Sequence, residues 1–262
     1  MNARDARRYA SGTWLRCVQP RPEARTVLIA FPHAGGSATF FGAWGERLPP
    51  TVELTAVQYP GRLDRLREPC VDDVHRLADG VLAALRTRGC TAAGRRVALL
   101  GHSMGAVVAY ETALRLEGLG VRPVATFVSS HPAPGRPRRS ALTEFTDHAL
   151  IAELRRLGAT PAALINEPDA RTAVLAGLRS DYRAVARYRP SPGRLSTPVV
   201  ALVGADDPDV TPDDMRPWTE RTTGPMTLHV FPGDHFYLTP QRDAVLRAAT
   251  AYLDGAGAPP RA

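Results

Sequence analysis

Short, nearly continuous apolar runs alternate along the chain with stretches whose apolar residues recur every three or four positions. The runs are Thr26–Phe31, Val52–Tyr59, Val97–Leu100, Val124–Ser130, Val199–Val203 and Met226–Phe231, each closed within two residues by Gly or Pro, and they predict strands. Val71–Arg86 carries Val74, Leu77, Ala78, Val81, Leu82 and Leu85 at helical spacing and predicts an amphipathic helix. Phe40–Leu48, the residues after Ser103 and Ala244–Leu253 read as further helices. Strands that are apolar throughout, separated by helices, predict an α/β fold: a mostly parallel central sheet covered by helices on both faces. Residues 132–195 break this rhythm. They open with the Pro/Arg-rich segment His131–Arg139 and continue with helical segments but no strand. A connection of roughly 60 residues is long for an ordinary crossover, so it reads as a helical lid inserted into one domain spanning residues 1–262.

Composition narrows the function classes. The formal charge of +7 comes entirely from arginine, since the sequence has no lysine. Those arginines are scattered and not interleaved with aromatics, which argues against nucleic acid and leaves an acidic protein as the better partner. No apolar run approaches the ~20 residues that span a bilayer, and the basic N-terminus lacks the apolar core of a secretory signal. Cys17, Cys70 and Cys90 are odd in number without C-x-x-C spacing, as expected of reduced thiols in a cytoplasmic protein with no membrane association. The seven histidines show no metal-ligand spacing and no strand is followed by G-x-G-x-x-G, so neither a metal nor a cofactor is expected.

The chemistry concentrates at Arg95–Gly105, where an apolar run stops in Gly101-His102-Ser103-Met104-Gly105 and a helix pattern follows. G-x-S-x-G between a strand and a helix predicts a sharp turn that projects the Ser103 hydroxyl beside free backbone N–H groups, as a nucleophile requires. Serine needs a base to take its proton. His235 fits, following the last strand in FPGDHFYL, whereas His102 points elsewhere around the turn and His229 alternates inside a strand. The base needs a carboxylate to fix its tautomer; GADDPD offers Asp206, Asp207 and Asp209, of which Asp207, directly before a proline, is preferred and Asp206 comes second. The order Ser103, Asp207, His235, each just past a strand end, is that of an α/β-hydrolase. The oxyanion donors expected are the backbone N–H groups of Met104 and, from PHAGGS after the first run, Ala34.

FPHAGGSATFFGAW, QYPGRLDRLREP, GHSMGA, GADDPDVTP and FPGDHFYL together resemble the stand-alone type II thioesterases of polyketide and nonribosomal peptide biosynthesis, over about Leu28 to Leu253. The resemblance implies a serine hydrolase that cleaves acyl thioesters from the phosphopantetheine arm of an acyl or peptidyl carrier protein. By the same matching, Ser103 is nucleophile, His235 base, Asp207 acid, and Met104 and Ala34 oxyanion donors. Arg62 and Arg65 of PGRLDR either shape the site entrance or make structural ion pairs, and Arg136, Arg138 and Arg139 either meet an acidic carrier protein or form a solvated loop. An acyl-CoA thioesterase or general esterase, and a non-catalytic carrier-protein-binding protein, are the alternatives.

Overall fold

A computed structural model describes residues 14–90, 94–137, 142, 144–157 and 168–253, the side chains of 168–170 excepted. Seven strands form one sheet: β1 (Leu15–Cys17), β2 (Thr26–Phe31), β3 (Val52–Val57), β4 (Arg96–His102), β5 (Thr126–Ser129), β6 (Val199–Gly204) and β7 (Met226–Phe231), in the spatial order β1-β3-β2-β4-β5-β6-β7. Only β1 runs antiparallel, pairing Leu15 with Val57; all the other pairings are parallel. The chain leaves β2 towards β3 but leaves β4 towards β5, so the strand order reverses between β2 and β4. Loops from two such strands part to opposite sides and open a crevice at their C-terminal ends, where α/β sheets bind ligands.

Side chains alternate across the pleat and split the core in two. Val27, Ile29 and Phe31 of β2, Val97 and Leu99 of β4, and Val199, Ala201 and Val203 of β6 face helices α1 (Val74–Thr87) and α2 (Met104–Gly118). Leu28, Ala30, Ala98, Leu100, Val200 and Leu202 face the other way, onto Phe41, Trp44 and the C-terminal helix α5 (Arg242–Leu253). Such two-sided burial is why these strands read as unbroken apolar runs. α1 presents the stripe expected of it, and Asp73 caps its start by accepting the Arg76 N–H at 3.0 Å.

Apart from short helical turns at Leu63–Arg65, Pro212–Met215 and Arg216–Arg221, two elements of the described residues depart from the sequence expectation. β1 was not anticipated, because three residues, Leu-Arg-Cys, carry no readable period. The helix expected at Phe40–Leu48 is a 3-10 segment, Ala38–Arg47, in which Gly42, Gly45 and the aromatics Phe40, Phe41 and Trp44 lower α-helix propensity.

Between β5 and β6 the described residues hold helices α3 (Asp147–Arg156) and α4 (Pro168–Arg187) and no strand. They share a small apolar cluster of their own: Leu150, Ile151, Leu175, Leu178 and Tyr182. The segment returning to the sheet is tied to α2 by two acidic side chains. Glu111, fully buried, accepts hydrogen bonds from the Tyr188 hydroxyl (2.9 Å), the Ser191 N–H (2.9 Å) and the Ser191 hydroxyl (2.6 Å). Glu117 accepts from the N–H and hydroxyl groups of Ser196 and Thr197.

Candidate active site

Ser103 occupies the turn between β4 and α2 with φ 52° and ψ −121°, a conformation disfavoured for a residue with a side chain. Strain of this kind costs about 1–3 kcal/mol and persists only where the surroundings impose it. Here they do. The Ser103 N–H donates to the Ser129 carbonyl at 2.8 Å, and its carbonyl accepts from the Ala106 N–H at 2.9 Å. A methyl group at Gly101 would overlap the Gly105 carbonyl, and one at Gly105 would overlap the Phe31 carbonyl. The two glycines thus let the elbow close against both its helix and β2. Ser103 directly precedes α2, so it stands at the helix N-terminus, where the first-turn N–H groups, that of Met104 first among them, carry the positive end of the helix dipole.

Asp207 and His235 lie past the ends of β6 and β7, and both are buried. His235 Nδ1 donates to the Asp207 carboxylate, 3.0 Å from Oδ2 and 3.1 Å from Oδ1. Oδ1 also accepts the backbone N–H of Asp209 (2.9 Å) and of Val210 (3.3 Å). Burial pushes the Asp207 pKa up, but the hydrogen bond and charge of His235, with the backbone N–H donors, outweigh it and hold the carboxyl below its ordinary range. Gly204 lets the two loops meet, because a methyl there would run into the Gly233 and Asp234 carbonyls. Asp206, next in sequence, has an exposed side chain, and its N–H donates to the Gly233 carbonyl. Asp209 is buried beside Arg156 of α3, at 2.6 Å.

The two other histidines weighed as the base, His102 and His229, have other surroundings. His102 is buried with Nδ1 3.0 Å from the Ser129 hydroxyl, which lies 2.8 Å from the Tyr237 hydroxyl, so one polar chain braces the elbow against the loop carrying His235. Burial, then the charges of His235 and His33, lower the His102 pKa well below its ordinary value and keep the ring neutral. His229 lies within β7, stacked near Phe231.

The loop after β2 carries Ala34 and Gly35, the latter at φ 74°. Gly35 donates its N–H to Asp181 Oδ2 of α4 at 2.7 Å, and the same oxygen is paired with the Arg62 guanidinium. Burial raises the Asp181 pKa, while Arg62 and the Gly35 N–H pull it the other way. Arg65 pairs with Glu68, donates to the Gln58 carbonyl at 2.7 Å and stacks over Trp14. Of the two roles open to the PGR arginines, both side chains therefore take the structural one. Asp181 was not singled out from the sequence; its signal there is a carboxylate on the same stripe as Leu175, Leu178 and Tyr182. In the loop after β5, Arg136 pairs at the surface with Glu220 at 2.5 Å, and Arg138 and Arg139 lie outside the described residues.

Among the described residues no group of three or more His, Cys, Asp or Glu side chains is disposed to hold a metal ion, and no helix is long and apolar enough to cross a membrane. A serine at a helix N-terminus, with a buried histidine–carboxylate pair on two further strand ends of the same sheet, is the equipment of nucleophilic acyl transfer.

Comparison with known proteins agrees with that chemistry. Residues 26–253 match the thioesterase domain family. The thioesterase PikA5 of Streptomyces venezuelae is 43% identical over 234 residues, covering 88% of this chain and 82% of that protein. Among solved structures, the type II thioesterase BorB from the borrelidin biosynthetic cluster superposes with a TM-score of 0.83 at 43% identity, over 94% of this chain and 99% of that one. YbtT, a type II thioesterase from the yersiniabactin NRPS/PKS pathway, gives 0.85 at 27% identity, over 94% and 100%.

Proposed function

The chain belongs to the thioesterase family of α/β-hydrolases, as a type II thioesterase of polyketide and nonribosomal-peptide biosynthesis, and on that premise we propose that Ser103, His235 and Asp207 remove acyl groups from the phosphopantetheine arm of carrier proteins. The observation that carries the reading is the buried Asp207–His235 hydrogen-bonded pair, with the His235 ring 5.1 Å from that of His102, the residue before the strained elbow serine. In the first step the Ser103 oxygen attacks the thioester carbonyl while His235 takes the hydroxyl proton through Nε2, the ring nitrogen that Asp207 leaves available. The oxyanion is held by the N–H groups of Met104 and Ala34; one such donor is worth about 3 kcal/mol by removal. Collapse breaks the C–S bond, and His235 returns its proton to the departing pantetheine sulfur. Water then attacks the Ser103 ester with His235 again as base, the carboxylic acid leaves, and the serine recovers its proton.

Asp207 contributes by remaining ionised, which keeps Nδ1 protonated and stabilises the imidazolium in both steps. α3 and α4 act as the lid. Leu178 of α4 packs on Gly35, so this helix lies over the oxyanion loop and limits the room for the acyl chain. Release of misloaded or stalled groups would return a free thiol to the assembly line.

The test is intact-mass analysis of acetyl-, propionyl-, butyryl- and aminoacyl-carrier proteins incubated with the enzyme or with Ser103→Ala. Loss of acyl mass with the wild type alone is expected. Equal loss on acyl-CoA or simple oxygen esters, with carrier-bound groups left intact, would replace the carrier reading by a general acyl-CoA thioesterase or esterase. Binding of carrier protein without any turnover would leave a non-catalytic partner.

A further inference from the structure

We propose that Asp181 is a positioning residue for the oxyanion hole, holding the loop after β2 from the helix that lies over it. The inference rests on the assignment of the Ala34 N–H as an oxyanion donor. Two segments distant in sequence converge on this one carboxylate of α4. Its Oδ2 accepts the Gly35 N–H at 2.7 Å and is paired with Arg62, and its side chain is wholly buried. Arg62 is itself fixed: Nη1 donates to the Pro60 carbonyl at 2.7 Å, and the guanidinium lies 5.3 Å over the Tyr59 ring. Gln58 completes the frame, donating to the Arg62 carbonyl and accepting the Ala38 N–H, both at 3.0 Å.

The geometry explains why a carboxylate stands on this apolar stripe. Peptide planarity makes the Gly35 N–H and the Ala34 carbonyl one rigid unit, so pinning that N–H leaves only the two torsions of Ala34 to set its own N–H. The loop would otherwise be free to turn, since Gly35 is glycine at φ 74°. Asp181 accepts from the loop, and Arg62 balances its charge so that no lone anion is buried. Leu178, one turn earlier on α4, fills the space beside Gly35 where a side chain would otherwise go. Docking of α4 and the aim of the oxyanion donor therefore depend on the same contact.

Kinetics on an acyl-pantetheine thioester and on a p-nitrophenyl ester, which needs the same oxyanion donors, tests this. In Arg62→Met/Asp181→Leu both charges go together, so none is left unpaired, but Gly35 loses its acceptor. Its kcat should fall about 100-fold, the loss seen when one oxyanion donor is removed, with KM within about threefold and an unfolding midpoint near that of the wild type. Arg62→Met/Asp181→Asn restores an uncharged acceptor and should recover about tenfold of that loss. A leucine variant with unreduced kcat, or an asparagine variant impaired equally, would overturn the proposal. Should the leucine variant not fold, Asp181→Glu decides: it keeps the charge pair but moves the acceptor, and an unaltered kcat refutes the role. An enzyme inert to thioesters fails the thioester reading, while the ester ratios still decide the role of Asp181.

Discussion

Ser103, Asp207 and His235 stand on turns whose backbones are fixed by the parallel sheet, whereas the contacts that α3 and α4 make towards the same site are made by side chains such as Asp181, Leu178 and Arg156. At the sheet, Gly101, Gly105 and Gly204 permit backbone contacts that no larger residue would allow, and the strand ends set the spacing of the site. The insertion has its own small apolar cluster and is joined to the rest both by apolar packing, Ala184 and Val185 in the main core and Leu178 against Gly35, and by polar contacts: Asp181 with Arg62, Arg156 with Asp209, and Tyr188 and Ser191 with Glu111. A buried ion pair is strongly orienting but adds little net stability, because desolvation of both charges offsets much of their attraction. The frame is thus built for permanence and the insertion for defined placement. Replacements in the frame should remove chemistry, and those in the insertion should misplace it.

The largest expected effect follows from breaking the frame at its acid. Asp207→Asn keeps the shape but supplies an N–H where His235 needs an acceptor, and kcat should fall by about 10⁴, the size of the corresponding change in a serine protease. Asp206→Asn, on an exposed side chain, should leave kcat within about twofold. Equal losses in the two variants would move the acid to the neighbouring position and undo the geometric assignment.

Acid titration separates the two regions more finely. His33, wedged edge-on between Phe40 and Phe236, has its pKa lowered to about 3 by burial first, then by the charges of His235 and Arg62. The unfolded chain protonates this histidine at about 6.5 and the folded chain only near 3, so the unfolded state binds more protons between those values. Stability should therefore fall as pH drops from about 6.5, and His33→Gln should flatten that slope. Glu111, the anchor of the insertion, behaves oppositely in range. Burial pushes it up, but Ser191, Tyr188 and Arg115 outweigh burial and hold it below the usual carboxylate range. Its contribution persists above that range and is lost as pH falls through its depressed value, so Glu111→Gln should leave the slope above pH 5 unchanged. Denaturant unfolding at a series of pH values reads both, and equal changes of slope in the two variants would contradict the distinction.

The same division governs how far the sequence could be read. Doubly buried strands announce themselves as apolar runs, so the ends of β2, β4 and β6, and with them Ala34, Ser103 and Asp207, are legible from composition and turn residues, whereas β7 is a mostly half-buried edge strand whose end before His235 is marked by its Pro-Gly turn. Between Asp206 and Asp207 the sequence offers only a following proline and a resemblance; in the fold, Asp207 faces His235 and Asp206 faces solvent. β1 escaped because an antiparallel edge strand of three residues has no pattern to detect. Arg62 was visible as a candidate, but its partner Asp181 stands 119 residues away and no local rule connects them. Side-chain contacts of that range exist only once the helix has packed.

Everything proposed for this site depends on Ser103 being the covalent nucleophile. The decisive experiment is to treat the folded enzyme with a fluorophosphonate and map the adduct by peptide mass spectrometry. One stoichiometric adduct is expected on the peptide containing Ser103, absent in Ser103→Ala. An adduct on another residue, or an unlabelled wild type, would contradict that role.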